Sequence, residues 1–283
     1  MKKIRLYINN VLEWKGTSYI ILIVLSIILL WPFYWSFITS FKTIEEVYSW
    51  PPSFWPKNFS LSGYKFALLH SPVPLYLINS IIYSLCVSLF VLAVGVITIY
   101  GLTFYPYKGS RKVLIMFFLT RVVPPQVLWL PFIILFSRLN LISTRLPVMI
   151  YEVVLVYPLV VWMFKSIFED FPREIIEAAT LDGCSRMQAL FRVVIPVVAP
   201  ALAAIGMISF LWSWNEFMFP YLVLQRPNLW PITVGIMGFL GEEGVMWNAL
   251  SATQILAITP ALIFFIFAQK HIIKGLSAGS VKG

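Results

Sequence analysis

Six runs of about 20 or more apolar residues divide this chain, each long enough to carry a helix across a hydrocarbon core roughly 30 Å thick. They lie near Tyr19 to Ile38, Leu77 to Phe104, Val113 to Phe136, Leu146 to Phe164, Val193 to Phe217 and Ala249 to Gln269. A lipid-embedded backbone must satisfy its own N–H and C=O groups, so each run is expected to be a helix. The expected fold class is an all-α integral membrane protein with six transmembrane helices. Composition agrees, because 60% of residues are hydrophobic and only 12% are charged. A soluble domain needs about 25% charged residues to cover its surface.

The basic residues set an orientation. With the N-terminus inside, fourteen Lys and Arg fall in inner segments, six in outer ones, and Arg121 lies in the third run. The excess places both termini, and the segment between the fourth and fifth runs, in the cytoplasm. The net charge of +9 therefore has a topogenic cause. Nucleic-acid binding is excluded, since no basic groove or recognition module is visible. Residues 1–18 read as a cytoplasmic segment, 19–38 as the first span and 39–76 as an outer loop with Trp50-Pro51-Pro52 and Trp55-Pro56. The first run lacks a small-residue cleavage site, so it is expected to be retained.

The inner segment between the fourth and fifth runs is polar and patterned. Asp170 is placed to cap a helix entered at Pro172, with Glu174 and Glu177 in its N-terminal half. Ile175, Ile176 and Ala179 mark an apolar face. Gly183 can take the positive φ that ends a helix, and Ser185 with Gln188 makes a capping box for a second one. Pro196 then bends the chain into the fifth span. Two short helices joined at a glycine are too polar for lipid and too small for a domain. Such a knob serves as a plain connector or sits in a cleft of another protein.

Here the residues match a family. Glu177-Ala178-Ala179, Gly183, Val193 and Ile195-Pro196 resemble the E-A-A loop of permease subunits in binding-protein-dependent ABC importers. Ile for the usual Leu, and Val for Ile, are mild departures. Three further features resemble the sugar branch, in particular the smaller permease subunit of maltose-type importers. They are Trp212-Ser213-Trp214-Asn215-Glu216-Phe217, Pro124-Pro125-Gln126, and the ending Lys274-Gly275-Leu276-Ser277-Ala278-Gly279-Ser280-Val281-Lys282-Gly283.

The resemblance implies a type I importer permease in the cell membrane. Residues 77–269 would form the type-1 transmembrane domain, with the coupling loop at 168–196 and a cytoplasmic tail at 270–283. Two such chains would form the pathway for a sugar. A cytoplasmic ATPase pair would bind the loops, and an extracytoplasmic solute-binding protein would deliver the solute. Glu177, Ala178, Ala179, Asp182 and Gly183 would then couple to the ATPase, with Ser277, Ala278, Gly279 and Val281 as tail contacts. An importer of glycerol phosphate is the neighbouring alternative, and it would call for more basic residues along the pathway. An ion-driven secondary transporter would show a repeated half and broken helices around paired acids.

Ionisable groups at membrane depth are functional or paired. Arg121 either snorkels or pairs with Glu152, and Glu152 can equally line a polar pathway. Asn215 and Glu216 suit a gate or a docking contact. Trp212 and Trp214 can stack on a sugar ring or anchor the interface, and Gln126 sits beside the paired prolines. Asn79 and Ser80 either cap the second span or bond between helices. The chain holds no G-x-x-x-x-G-K-[ST] loop, so ATP is expected to be bound by a partner and not here. His70 and His271 are the only histidines, and Cys86 and Cys184 the only cysteines. No metal, cofactor or enzymatic constellation is therefore expected.

Overall fold

The computed structural model describes residues 15–241 and 244–279. Its helices run in the order α1 (Lys15–Thr39), α2 (Ile44–Val47), α3 (Ser62–Leu69), α4 (Val73–Phe104), α5 (Ser110–Thr120), α6 (Pro125–Arg138) and α7 (Leu146–Glu169). They continue with α8 (Arg173–Leu181), α9 (Arg186–Ala189), α10 (Ile195–Trp214), α11 (Met218–Val223), α12 (Ile232–Gly235) and α13 (Trp247–Gly279). A two-residue antiparallel ladder pairs Leu240 with Val245 and Gly241 with Gly244. The acidic pair Glu242-Glu243 lies outside the described residues. Five of the described helical stretches are long and apolar enough to cross a membrane, and a bent pair makes a sixth.

That bent pair is the expected third span. It does not form one helix from Val113 to Phe136. Helices α5 and α6 meet at 97°, with residues 121–124 between them. The cause is local. A residue before proline is driven out of the helical region, and Pro124, which precedes Pro125, is extended at ψ 132°. Pro125 then opens α6 as its first residue, where its missing N–H costs nothing.

The fifth span also departs from expectation. Pro196 does not separate the hairpin from the span. The stretch Arg186–Trp214 is one 29-residue rod. Pro196 withdraws an N–H from the ladder, and the chain answers with a π-helical turn at Leu190–Val194. Ile195 N donates to Leu190 O across that turn.

The Cα packing forms two units, one within Met1–Ser71 and Phe239–Leu256, the other within Pro72–Gly238 and Ala257 onward. In the larger unit α4, α7 and α10 share one core of Val91, Ile99, Val160, Phe164, Phe168, Leu190 and Ile205. Without a hydrophobic drive between helices in lipid, small residues and hydrogen bonds set their contacts. Gly95 lies where a Cβ would come within 3.0 Å of Val160 Cγ1 and 3.1 Å of Phe164 Cε2. Ser88 Oγ donates to Gly206 O at 2.9 Å, tying α4 to α10. A second cluster, with Tyr83, Phe136, Tyr151 and Phe219, packs the Arg145 end of α7, where Tyr151 and Phe219 stack at 3.9 Å.

In the smaller unit, residues 19–34 of α1 are exposed all round and present apolar surface for lipid or another subunit. Glu46 organises the loop that follows. Its carboxylate accepts from Ser53 Oγ at 2.7 Å and Lys57 N at 2.8 Å. Burial by itself would raise this carboxyl, but these donors, Asn58 N and the charge of Lys42 hold it below the usual range. Gly63 abuts the backbone of Asn248, whose carbonyl oxygen would stand 2.6 Å from an added Cβ.

Candidate functional site: a capped hairpin on the bundle

The polar segment after α7 folds as a helical hairpin, made by α8, a turn at Asp182–Ser185, and α9. Its turn is determined locally. Gly183 has φ +86°, and nothing stands within 4 Å of the place a Cβ would occupy. Cys184 N donates to Ala179 O, and Gly183 N donates to Thr180 O, both at 3.0 Å. This is the Schellman pattern, which satisfies the last carbonyls of α8. On the far side Gln188 N donates to Ser185 Oγ at 3.3 Å, and Ser185 N donates to Gln188 Oε1 at 2.8 Å. The capping box is complete, as the spacing of Ser185 and Gln188 predicts.

The start of α8 differs from expectation. Pro172 is its cap residue and gives no side-chain bond. Asp170 instead closes α7, its N–H donating to Ser166 O. The three-residue link 170–172 leaves Asp170 in helical geometry at the end of α7, not extended at the head of α8.

The hairpin is held on one face. Ile176 and Ala179 are buried against the bundle, whereas Ile175 is exposed. Arg173 Nη2 donates to Thr103 O at 3.2 Å. Tyr100 Oη donates to Arg186 O at 3.0 Å. The Arg186 guanidinium lies over the Tyr105 ring at 4.4 Å. Both arms therefore grip the last turn of α4. The opposite face presents Glu177, Ala178, Asp182 and Gly183, all exposed. Leu181 at the tip is 89% exposed, an apolar side chain with no cover in this chain. Of the expected coupling residues, only Ala179 turns inward. Sequence reasoning missed Tyr100, Tyr105 and Thr103, because nothing nearby in the chain marks them as the hairpin's seat.

The second set of candidates divides. Glu152 on α7 is 3% exposed and hydrogen-bonds Ser213 on α10. It has turned away from Arg121, whose guanidinium donates to Leu155 O at 3.2 Å and lies 5.3 Å from the Trp212 ring centroid. Trp214 is buried, donates to Ala257 O at 3.2 Å and stacks with Phe210. Its ring is part of the α10–α13 contact and not an open face. Trp212 is exposed. Asn215 folds back on Leu211 O at 2.7 Å, and Glu216 caps α11 through Phe219 N at 3.1 Å. Gln126 is exposed at the start of α6, just past the break.

Asn79 and Ser80 bond between elements. Asn79 Nδ2 donates to Asn228 O and Trp230 O, Arg145 Nη2 donates to Asn79 Oδ1, and Ser80 Oγ accepts from Ile232 N. They hold the segment after α11 onto α4. Ser277, Ala278 and Gly279 fall in the last turn of α13, which runs past the expected end at residue 269. Val281 lies outside the described residues.

A polar hairpin thus lies between two spanning helices and is held on one face by the end of α4. Residues 92–277 match the family described as binding-protein-dependent transport system inner membrane component. The chain belongs to this family. As an inner-membrane component of such a system, it is a multi-pass membrane protein. It is similar to the sulfoquinovosyl glycerol transport system permease protein SmoH of Agrobacterium fabrum, with 31% identity over 90% of this chain and 89% of that one. It is also similar to the diacetylchitobiose uptake system permease protein DasC of Streptomyces coelicolor, 28% identical over 92% of this chain and 95% of that one. The arabinooligosaccharides transport system permease protein AraQ of Bacillus subtilis is 30% identical over 81% of each chain. A crystal structure of a bacterial ABC transporter involved in import of the acidic polysaccharide alginate contains a chain of the same fold. Its TM-score is 0.80 at 21% identity, over 92% of this chain and 97% of that one. The type I importer permease fold is thus the fold of this component.

Proposed function

We propose that this chain is one of two permease subunits of an ATP-driven carbohydrate importer, forming half of the translocation pathway. The solutes named for SmoH, DasC and AraQ support a saccharide or saccharide derivative as solute. The observation that carries the mechanism is the unbroken rod from Arg186 to Trp214. One end of that rod is the second arm of the hairpin, and the other end carries Trp212 and Ser213 and leads into Asn215 and Glu216. A push on the hairpin is therefore carried into α10 along a continuous helix.

The exposed face at Glu177, Ala178, Asp182 and Gly183, with Leu181 at its tip, docks in a cleft of a cytoplasmic ATPase, one of a pair. ATP binds there and not in this chain, whose sequence holds no G-x-x-x-x-G-K-[ST] loop. Ala179 holds the first arm to the bundle. Both termini are cytoplasmic, and the tail residues Ser277, Ala278, Gly279 and Val281 add a second contact to the ATPase pair. A second six-span permease completes the pathway, and an extracytoplasmic solute-binding protein delivers the sugar. Along the pathway Gln126, Trp212, Asn215 and Glu216 offer polar or aromatic contacts, while Glu152 and Trp214 fix the helices that carry them. Residues 77–269 form the transmembrane domain proper, with 168–196 as its coupling loop.

The test uses the assembled transporter in proteoliposomes with solute-binding protein and a panel of sugars. Glu177→Lys is expected to leave insertion and subunit assembly intact while more ATP is consumed per sugar carried. Normal uptake and coupling in Glu177→Lys would remove the hairpin from the mechanism.

A further inference from the structure

A cleft between α5 and α7, at the hairpin end of the bundle, takes no part in the coupling described above. Its volume is about 260 Å³. The walls are apolar, with Phe117 and Phe118 from α5 and Val161 and Trp162 from α7. The rim is cationic, with Arg111 in the first turn of α5 and Lys165 near the end of α7.

Ile115, Met116, Phe118 and Leu119 on α5 and Trp162 on α7 are exposed, so the open side of the cleft is continuous with an apolar surface of the kind hydrocarbon can cover. Arg111 has no acidic partner among the described residues. Lys165 meets Glu169 at 2.6 Å, one turn along the same helix, in a pair that is partly exposed at both ends. An exposed pair at that spacing contributes little, so a better anion can draw the ammonium away. Two cations above an apolar groove at the boundary of the hydrocarbon match the two halves of one ligand. They suit a phosphate on a glycerol backbone with acyl chains below it. A water-soluble anion would leave the aromatic walls without a partner, and a zwitterionic lipid brings its own cation to compete with Arg111 and Lys165 for its phosphate.

We propose that this groove binds an acidic phospholipid, its phosphate held between Arg111 and Lys165 and its first acyl methylenes lying on Phe117, Phe118 and Trp162. The site depends neither on the identity of the transported solute nor on an ATPase partner. Its consequence is mechanical, because Lys165 lies only a few residues before the hairpin, and a bound lipid braces α5 against the helix that leads into it.

The full chain, purified in detergent, is titrated with phosphatidylglycerol and separately with phosphatidylcholine, and bound lipid is counted by native mass spectrometry. Wild type is expected to prefer phosphatidylglycerol by about thirtyfold at most, as two cations at about 1 kcal/mol each supply. Arg111→Gln combined with Lys165→Gln is expected to abolish the preference while phosphatidylcholine binding stays as it was. The charge-conserving pair Arg111→Lys with Lys165→Arg is expected to keep it, which separates lipid recognition from a folding defect. Lys112→Gln, outside the groove, is expected to change nothing. An unchanged preference in the double Gln variant would overturn the proposal, and so would an equal loss in Lys112→Gln. Full displacement of the lipid by soluble glycerol phosphate would mark a free-anion site and overturn the lipid assignment.

Discussion

Gly183 is the one residue of the hairpin whose backbone admits no other side chain without strain, and its replacement by alanine isolates the turn from everything else. At φ +86° an alanine Cβ approaches the following carbonyl group, and the left-handed region costs an L-residue about 1–2 kcal/mol. No neighbour stands within 4 Å of the new methyl, so no packing is gained or lost. The whole cost falls on the closed hairpin. An opening equilibrium weakened by about 1–2 kcal/mol is roughly 5–30 times more populated. Hydrogen exchange at the amides of Gly183 and Cys184, which bond to Thr180 O and Ala179 O, should accelerate by that factor. Amides within α7 and α10 should keep their rates. Asparagine, which tolerates this conformation better, should recover part of the loss. In the assembled transporter, Gly183→Ala should also consume more ATP per solute than wild type. If exchange at these amides is unchanged in Gly183→Ala, the strained turn does not hold the hairpin, and the reasoning fails. If exchange rises but coupling does not, the turn is as described and the lever is not.

Removing the donor of the buried carboxyl, Ser213→Ala, should destabilise the chain by about 1–3 kcal/mol in detergent unfolding, because Glu152 has no other bonded partner described. Glu152→Gln keeps a polar partner for Ser213 and should cost less; the reverse order would refute the assignment. The loop tied by Glu46 should weaken with acid. Its folded carboxyl lies below the ordinary value of 4.5, so the stabilisation is complete above that value and is lost as pH falls through the depressed one. Protease cleavage between Tyr48 and Phe59 should therefore quicken below about pH 4.5. In Glu46→Gln it should already be fast at neutral pH, and a wild-type rate there would contradict the role of the carboxylate.

The parts of the hairpin that were legible in the sequence are those whose partners lie within six residues. Gly183 closes on Thr180 and Ala179, and Ser185 closes on Gln188, so the residue types at those spacings already specify the turn and the second cap. Its seat was not legible. Tyr100 reaches Arg186 across 86 residues and Arg173 reaches Thr103 across 70, and no pattern in either segment points to the other. The third span shows a different limit. Pro124-Pro125 marks where the helix breaks, but a shallow kink and a 97° break share that sequence, so the angle between α5 and α6 was not legible. Arg121 and Glu152 had opposite charges and plausible depth. The carboxylate found Ser213 instead, while the guanidinium took a carbonyl and an indole face.

From its sequence alone this chain had to be a bundle of membrane-crossing helices with a polar hairpin between two of them, because run length and helix-end motifs act over a few residues. Tertiary structure alone decided which faces of those helices meet one another. Lipid tails are as apolar as leucine, so a hydrophobic pattern cannot tell a side chain that faces lipid from one that faces a neighbouring helix. Trp212 and Trp214 illustrate the point, two residues apart with one exposed and one buried against α13. The hairpin arm and α10 are continuous through the π-helical turn at Leu190–Val194, which neither Pro196 nor the periodicity around it announced.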